Sequence, residues 1–370
     1  MKRDLYIDFA KGLATLSIIF IHTAFWSGQL YLPTEVRTLS LLVDVPVFFA
    51  LSGLTSGNNI EKTLYRLLKL QVTYMIFVTF LFLLDGVMKF GIFNVMGTEG
   101  MNSYYSVFGT KYGIPSVNSA FNWGVLGNWW LHSYSNCDSF PVVMGSFWYL
   151  KVYYIITIFG VLILKFFPKH IKWFVGICIA LTLYFNIGND VVKNYAPYYP
   201  TGQVGYVAYY LAVFLIAHLL KGKRIKNIVV PALYALVAVS LIVLFWYFGS
   251  EIFYKINKQK FPPKLPYITW SLLSLTTIFV LYNRLKITKD NFINYIGKNA
   301  IFYYFAQGMS SSIVYFIIAA LKDNVNTWVL MVTIYILNVI LAILIAELLK
   351  KVDDYGWKIL EFLRLKTASN

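Results

Sequence analysis

Ten stretches of mostly apolar residues limit the fold of this chain more than any other feature. A helix needs about 20 such residues to cross the hydrocarbon core of a bilayer. With 59% hydrophobic residues, the chain is also far more apolar than one soluble core requires. The sequence therefore predicts an all-α polytopic membrane protein with about ten transmembrane helices. The predicted spans are roughly residues 6–27, 38–55, 70–89, 147–167, 171–188, 204–220, 228–249, 267–283, 300–320 and 327–349.

The basic residues predict the orientation of these spans. Most of the 32 Lys and Arg residues fall in loops that share one side of the membrane when the N-terminus is placed in the cytoplasm. We therefore expect both termini in the cytoplasm, with residues 1–350 forming one membrane domain and residues 351–370 a cytoplasmic tail. The net charge of +16 does not indicate a nucleic-acid partner, because the basic residues lie in short clusters between apolar segments.

Two other features narrow the class of protein. The chain has only two cysteines, Cys137 and Cys178, which predicts neither a disulfide framework nor a thiolate metal site, and no metal is expected. No small-residue cleavage site follows the first apolar run, so this run is expected to be a retained span and not a signal peptide.

The predicted outer loop between spans three and four, residues 90–146, is longer than a membrane connection needs. It is rich in aromatic residues that alternate with Gly, Asn and Ser. One interpretation is stacking on sugar rings, and the other is an aromatic belt at the membrane interface. The tryptophans predicted to bind a sugar substrate are Trp123, Trp129, Trp130 and Trp148.

The first span contains three ionisable residues, although charges inside a bilayer are costly and usually functional. Lys11 and His22 are eleven positions apart, which is about three helical turns and a rise of roughly 16 Å, so they share one helix face. Asp8 lies three residues before Lys11 on the same face. The alternative is structural: Lys11 extends to the headgroups and His22 bonds to a neighbouring helix.

The second span adds a carboxylate. Asp44, Phe48 and Ser52 occur at spacings of four, which predicts one helical stripe. Asp44 is about seven residues from the outer end of its span and His22 about five, so their depths match. We predict that Asp44 orients the His22 imidazole as a catalytic base. A structural interhelical pair is the alternative.

Basic residues follow span two on the cytoplasmic side. Lys62, Arg66 and Lys69, together with Lys11 and Ser52, are predicted to bind a phosphate-bearing ligand. The alternative is that the three residues after span two act as topology signals only.

Several motifs resemble those of the acyltransferase type 3 family of integral-membrane acyltransferases. The more specific ones are RDLYIDFAKG at 3–12, the spacing from Lys11 to His22, and FFALSG at 48–53. Weaker matches are SFWYL at 146–150 and IGKNAIFYY at 296–304. The resemblance implies a unit of ten or eleven helices that moves an acyl group, usually acetyl from acetyl-CoA, across the membrane to a glycan hydroxyl.

Individual residues take their roles from this resemblance. Lys11 matches the family's conserved basic residue and His22 its essential histidine. Phe48, Ser52 and Gly53 match the family's FFxxSG motif, and Arg66 matches a basic position after it.

The chain departs from the family pattern in three ways. Thr73 stands where a proline often occurs, and Gln307 where many relatives have a second histidine. Many relatives also carry a fused soluble hydrolase-like domain, which is not expected here.

The predicted function is therefore a multi-pass O-acyltransferase of the bacterial cytoplasmic membrane. Acyl-CoA, most simply acetyl-CoA, is the expected donor, and a surface or secreted polysaccharide outside the membrane is the expected acceptor. His22 is expected to act either as a base or as an acyl carrier. Expected partners are the lipid bilayer and proteins of polysaccharide biosynthesis. The alternative is a polysaccharide or small-molecule exporter, which would also use polar intramembrane residues.

Overall fold

The computed structural model describes residues 4–109, 113–132, 137–187 and 200–368, and no β-strand occurs among them. The α-helices are α1 (Leu5–Phe25), α2 (Thr34–Ser40), α3 (Val45–Thr55), α4 (Ile60–Ser106), α5 (Trp123–Trp130), α6 (Pro141–Ser146), α7 (Trp148–Phe166), α8 (Ile171–Ile187), α9 (Pro200–Leu220), α10 (Val229–Phe248), α11 (Glu251–Tyr254), α12 (Leu265–Leu281), α13 (Phe292–Lys298), α14 (Ala300–Leu321) and α15 (Thr327–Ala368). Short 3₁₀ helices are Ser27–Leu30, Val117–Ser119 and Ile256–Gln259.

The apolar helices confirm a multi-pass membrane protein. Seven helical segments of the described chain are long and apolar enough to cross a bilayer, and three shorter apolar helices lie in α8, α9 and α12. Each of the ten predicted spans overlaps one of these segments. Helix α10 illustrates the expected environment, because only 11% of its most apolar window is buried inside the protein and its remaining apolar side chains suit lipid.

The predicted second span is broken into α2 and α3. Asp44 immediately precedes α3 and has an extended backbone, with φ −127° and ψ −166°. Pro46 lies in the first turn of α3, where a helix tolerates its missing N–H. Its ring disfavours helical geometry in the residue before it, so the helix does not continue upstream. The prediction that Asp44 shares a helical stripe with Phe48 and Ser52 is therefore wrong for Asp44, because only the other two residues are helical.

Two helices extend beyond their predicted ends. Helix α4 continues to Ser106, so the first part of the predicted outer loop, residues 90–106, is helical. Gly97, with a positive φ of 64°, interrupts the regular geometry of this helix. Helix α15 runs without a break from Thr327 to Ala368, so the predicted boundary at residue 350 falls inside a helix.

The described chain forms two compact units. The first unit comprises Met1–Ile18, Pro33–Leu64 and Tyr149–Lys298. Its core includes the packing of α3 against α9, where Phe49 stacks on Tyr210 with ring centroids 4.6 Å apart.

The second unit comprises Ile19–Leu32, Tyr65–Trp148 and Asn299–Asn370. Stacked aromatic rings of α4 and α14 contribute to its core, with the Phe77 and Phe305 centroids 4.5 Å apart. Helices α14 and α15 also pack through a buried aliphatic cluster, which consists of Val314, Ile318, Leu330 and Ile334.

Candidate functional site

Helix α1 carries three of the ionisable residues singled out in the sequence. Asp8 is buried, whereas Lys11 and His22 are half-buried. The helix is continuous over Leu5–Phe25, so Lys11 and His22 lie on one uninterrupted element at a rise of roughly 16 Å. The structure therefore confirms that Lys11 and His22 lie on one continuous helix, about three turns apart.

Two motif glycines bring α1 and α13 into backbone contact. A Cβ atom at Gly12 would lie 2.0 Å from the carbonyl oxygen of Ile293. A Cβ atom at Gly297 would lie 1.8 Å from the carbonyl oxygen of Asp8. Both distances are far below any real carbon–oxygen contact, so these positions accept glycine alone. The DFAKG and IGKNA stretches therefore meet in space, next to Lys11, which the sequence did not predict.

A third motif glycine joins α3 to α9. A Cβ atom at Gly53 would lie 2.2 Å from the carbonyl oxygen of Phe214. Ser52, which precedes it and is predicted to bind the donor, is half-buried. Close packing of α3 on α9 therefore explains the glycine of the FFALSG stretch. The role of Ser52 in donor binding stays a prediction.

Asp44 lies in a buried polar cluster of the first unit. Its carboxylate lies 2.7 Å from the Lys260 ammonium, and it accepts a hydrogen bond of 2.9 Å from the Tyr267 hydroxyl. Asp44 and Tyr267 are almost fully buried. The structure thus gives Asp44 two partners that the sequence analysis did not predict, and the orientation of His22 by Asp44 stays a prediction.

A second polar cluster lies at the C-terminal end of α3. The Ser56 hydroxyl is 2.9 Å from Nδ1 of His218. The Lys221 ammonium donates to the carbonyl oxygen of Ser56 at 2.6 Å. Ser56 also donates to the carbonyl oxygen of Gly53, so this cluster caps the end of the helix that carries the FFALSG motif.

The three basic residues after span two lie in the first turns of α4. Asn59 caps this helix by accepting from the backbone N–H of Lys62 at 2.8 Å. Lys62, Arg66 and Lys69 are all exposed, and their spacing of four and three residues places them on one face. The Lys69 ammonium lies 5.7 Å from the ring centroid of Trp357. An exposed cationic face of this kind suits an anionic ligand.

The residue after His22 anchors this end of α1 in the second unit. Nδ2 of Asn338 lies 2.7 Å from Oγ1 of Thr23 and 3.0 Å from Oγ of Ser311. All three residues are fully buried. Buried hydrogen bonds of this kind hold membrane helices together and restrict the backbone that presents the imidazole.

Gln307, which departs from the expected family pattern, lies in the same unit, on α14. It is fully buried, and its Nε2 donates to the carbonyl oxygen of Tyr304 at 3.1 Å. Its Oε1 accepts no hydrogen bond from the part of the chain that the structure describes.

The four predicted acceptor-binding tryptophans differ in their exposure. Trp129 is almost fully buried, so its ring belongs to the packing of the second unit. Trp130 and Trp148 are half-buried, and Trp148 begins α7. Trp123 is 64% exposed and presents the most open indole of the four.

The family of the chain follows from a comparison with known families. A family model described as an acyltransferase domain matches residues 4–347, which include the motifs on α1, α3 and α13. The chain belongs to the acyltransferase type 3 family. With its apolar helices, this acyltransferase is a multi-pass membrane enzyme. No curated protein and no solved structure matches it.

Several polar residues of this acyltransferase were missed by sequence reasoning. Lys260 and Tyr267 lie on either side of the prolines at 262 and 263, and no local pattern in this stretch predicts their contacts with Asp44. His218 lies in an apolar helix at its polar end, a position that also suits a basic topology signal. In each case the sequence shows a polar residue at or near the end of an apolar segment. This pattern does not predict which residue it contacts.

Proposed function

We propose that this acyltransferase transfers an acetyl group from acetyl-CoA to a hydroxyl of a surface or secreted polysaccharide, with His22 as the catalytic base. The observation that carries the proposal is the geometry of α1 in a chain of this family. One uninterrupted helix holds a half-buried imidazole three turns from a half-buried ammonium, at Lys11. Such ionisable groups within a membrane span are costly and are retained for function.

In the proposed reaction, the acetyl group moves from the sulfur of CoA to the oxygen of the acceptor hydroxyl. The His22 imidazole takes the proton of the acceptor hydroxyl as its oxygen attacks the thioester carbonyl. The carbon–sulfur bond then breaks, and the imidazolium returns the proton to the departing CoA thiolate. A positioned base of this kind typically contributes 10²- to 10⁴-fold to the rate. In a second route, His22 itself carries the acetyl group before the acceptor arrives.

The donor is assigned to the basic end of α4. Lys62, Arg66 and Lys69 share an exposed face, which suits the phosphates of acetyl-CoA. Lys11 and Ser52 are also proposed to bind the donor, whose acetyl group must reach His22 for the transfer to occur.

The acceptor side is proposed from the aromatic residues. The exposed indole of Trp123 is the best candidate for stacking on a sugar ring, because its face is open. Trp130 and Trp148 offer partly open rings, whereas Trp129 contributes through packing. We place the enzyme in the bacterial cytoplasmic membrane with both termini on the cytoplasmic side, and proteins of polysaccharide biosynthesis are proposed as partners.

The test is acetyl transfer by the purified full-length protein in vesicles, with the His22→Gln variant alongside. The vesicles receive labelled acetyl-CoA and polysaccharide isolated from a strain that lacks the protein. We expect the wild type to acetylate the polysaccharide, and His22→Gln to lose at least 100-fold in rate.

The matched control is His170→Gln, because His170 is an exposed histidine between α7 and α8. This control is expected to keep the wild-type rate. Normal acetylation by His22→Gln would remove His22 from the mechanism. A wild-type protein that moves polysaccharide across the vesicle membrane but transfers no acyl group would instead support the exporter alternative.

A further inference from the structure

An apolar groove runs between α1 and α12 in the first unit. Its volume is about 300 Å³. Tyr6, Ala10 and Leu13 line it from α1, and Leu281 lines it from α12 together with Leu285, just beyond the end of that helix. The three leucines are between 38% and 45% exposed, so the groove opens to the surroundings of the protein and not into its core.

The polar side chains of the groove have their hydrogen bonds within the protein. The hydroxyls of Ser274 and Thr277 each donate to a backbone carbonyl about one turn earlier in α12. The Tyr6 hydroxyl donates to the carbonyl oxygen of Ile278 at 2.7 Å and so joins α1 to α12. The groove therefore offers mainly apolar contacts, which suit a hydrocarbon chain better than a polar ligand.

The groove lies on a different face of α1 from the proposed catalytic residues. At about 100° per residue, Lys11 is roughly 130° around the helix from the centre of the face that lines the groove. His22 is roughly 150° from the same centre. The groove is thus separate from the face to which acyl transfer is assigned.

Tyr282 connects the groove to the turn that follows α9. Its ring packs against Tyr6 of the groove, with centroids 5.7 Å apart. Its hydroxyl accepts a hydrogen bond of 3.3 Å from the backbone N–H of Gly222, a residue with a positive φ of 72°. We call residues 221–226 the α9 turn and residues 282–289 the α12 turn. Tyr282 is buried, so it holds the α9 turn beside the groove.

Two further side chains of the α12 turn hold the α9 turn in place. Nδ2 of Asn283 donates to the carbonyl oxygen of Lys223 at 3.1 Å. Nη2 of Arg284 donates to the carbonyl oxygen of Ile225 at 2.6 Å. Because Leu285 follows Arg284 directly and lines the groove, both turns lie at the same end of the groove.

The two turns concentrate positive charge at this end of the groove. Five of their cations are exposed, namely Lys223, Arg224, Lys226, Lys286 and Lys289. Neither turn contains an acidic residue. Asp290, directly after the α12 turn, pairs with Lys298, and Asp4, near Tyr6, accepts from the backbone N–H of Tyr6 at 2.9 Å. An anion is therefore the complementary partner of this surface.

We propose that the groove and the two turns form a binding site for an anionic phospholipid. One acyl chain lies in the groove, and the phosphate lies among the cations of the turns. Both turns directly follow apolar helices, so we expect their cations at the depth of the lipid headgroups, where clusters of roughly four to eight Lys and Arg residues attract anionic lipid. The ligand is a lipid and not a soluble anion, because the cations adjoin a groove that hydrocarbon fills.

The test compares phosphatidylglycerol with phosphatidylcholine of the same acyl chains, added to the full-length protein in detergent. Native mass spectrometry measures the bound lipid. We expect phosphatidylglycerol to bind roughly tenfold more tightly, because only its headgroup has a net negative charge. The triple variant Lys223→Gln, Arg224→Gln and Lys286→Gln is expected to lose roughly that factor. Equal binding of the two lipids by the wild type would overturn the proposal.

The matched charge control uses the turn between α7 and α8. Lys165, Lys169 and Lys172 are exposed there, and the sequence predicts them on the same side of the membrane as the α9 and α12 turns. Replacing all three by Gln removes the same charge and is expected to leave phosphatidylglycerol affinity within about twofold, because screening weakens distant exposed charges. Equal losses from the two triple variants would show an effect of net charge alone and would contradict a specific site.

The groove is tested without a change of charge. Leu13→Trp puts a larger ring into the groove and is expected to weaken phosphatidylglycerol binding about threefold or more, because the acyl chain loses apolar contact. Leu236→Trp, at a 62% exposed leucine of α10, is the control and should leave binding unchanged. Leu281→Trp provides a second substitution if Leu13→Trp does not accumulate. Unchanged binding in the groove variants would rule out an acyl chain at this place.

Competition identifies the source of the phosphate. Glycerophosphoglycerol has the headgroup of phosphatidylglycerol but no acyl chain, and we expect neither this compound nor acetyl-CoA to displace the lipid. Displacement by the headgroup alone would indicate a site for soluble phosphates, and displacement by acetyl-CoA would assign the site to the donor. Either result would overturn the lipid assignment. Lipid binding requires no catalysis, so the outcome is independent of the proposed acetyl transfer.

Discussion

The Lys260 ammonium lies 2.7 Å from a carboxylate oxygen of Asp44, in a buried ion pair between residues 216 positions apart. The Tyr267 hydroxyl donates to the same carboxylate. This contact ties the start of α3 to the segment that precedes α12, and α3 carries the FFALSG motif. The pair therefore supports the helix on which Ser52 and Gly53 lie.

Removing one partner of this pair is expected to destabilise the protein strongly. Asp44→Ala or Lys260→Met leaves a buried charge without its counter-ion, which typically costs about 3–5 kcal/mol. The double variant is expected to lose clearly less than the sum of the two, because it buries no unpaired charge. Thermal unfolding of the purified protein measures this. The exposed pair Glu251–Lys255 is the control, and its removal should cost at most about 1 kcal/mol. Additive losses at Asp44 and Lys260 would argue against coupling.

The contact between α1 and α13 predicts a strict requirement for glycine. Gly12→Ala and Gly297→Ala each place a methyl group on a backbone carbonyl, so α1 must move away from α13. Overpacking of this kind typically costs about 1–3 kcal/mol. We expect a lower Tm and lower acyl transfer, because Lys11 adjoins this contact.

Gly176→Ala is the control for these variants, since the added methyl group in α8 has no neighbour within 4 Å among the described residues apart from adjacent residues and backbone of its own helix. An exposed helical alanine should be neutral or stabilising by up to about 1 kcal/mol. If Gly12→Ala behaves like Gly176→Ala, the close approach of the two helices is incorrect.

The polar contact beside His22 is expected to matter for both stability and rate. Asn338→Leu removes the donor that Thr23 and Ser311 share, and membrane hydrogen bonds are worth about 0.6–2 kcal/mol. We expect a modest fall in Tm and a larger fall in kcat, because α1 loses an anchor next to the imidazole. Ser240→Ala, at a half-buried serine whose hydroxyl donates to Leu236 of its own helix, is the control. A fall in Tm with an unchanged kcat would limit Asn338 to a structural role.

Substitution of the exposed cations of α4 tests whether they bind the acyl-CoA donor or act only as topology signals. Replacing Lys62, Arg66 and Lys69 by Gln one at a time is expected to raise the KM for acetyl-CoA several-fold and to leave kcat nearly unchanged. The effect should shrink at high salt, because exposed charges are screened. Lys172→Gln, at another exposed basic residue beside a span, should leave the KM unchanged. If all four variants change only the amount of inserted protein, the cations serve topology alone.

Local sequence determined much of this molecule. Apolar runs of about 20 residues predict helices, because only a closed hydrogen-bonded backbone is stable in lipid, and each predicted span overlaps an apolar helix. The helical spacing of Lys11 and His22 is also local, and α1 is continuous over both residues. Family membership could likewise be inferred from short motifs, since the match covers residues 4–347.

Only the tertiary structure decided which distant residues meet. Asp44 and Lys260 form a pair, Gly12 and Ile293 are in backbone contact, and Trp129 bonds to Tyr74, although no spacing in the sequence joins them. Hydrophobic periodicity reports whether a segment is a helix and which face is apolar. It carries no information about which helix packs on that face, because that depends on shape and polar pairing across the whole chain.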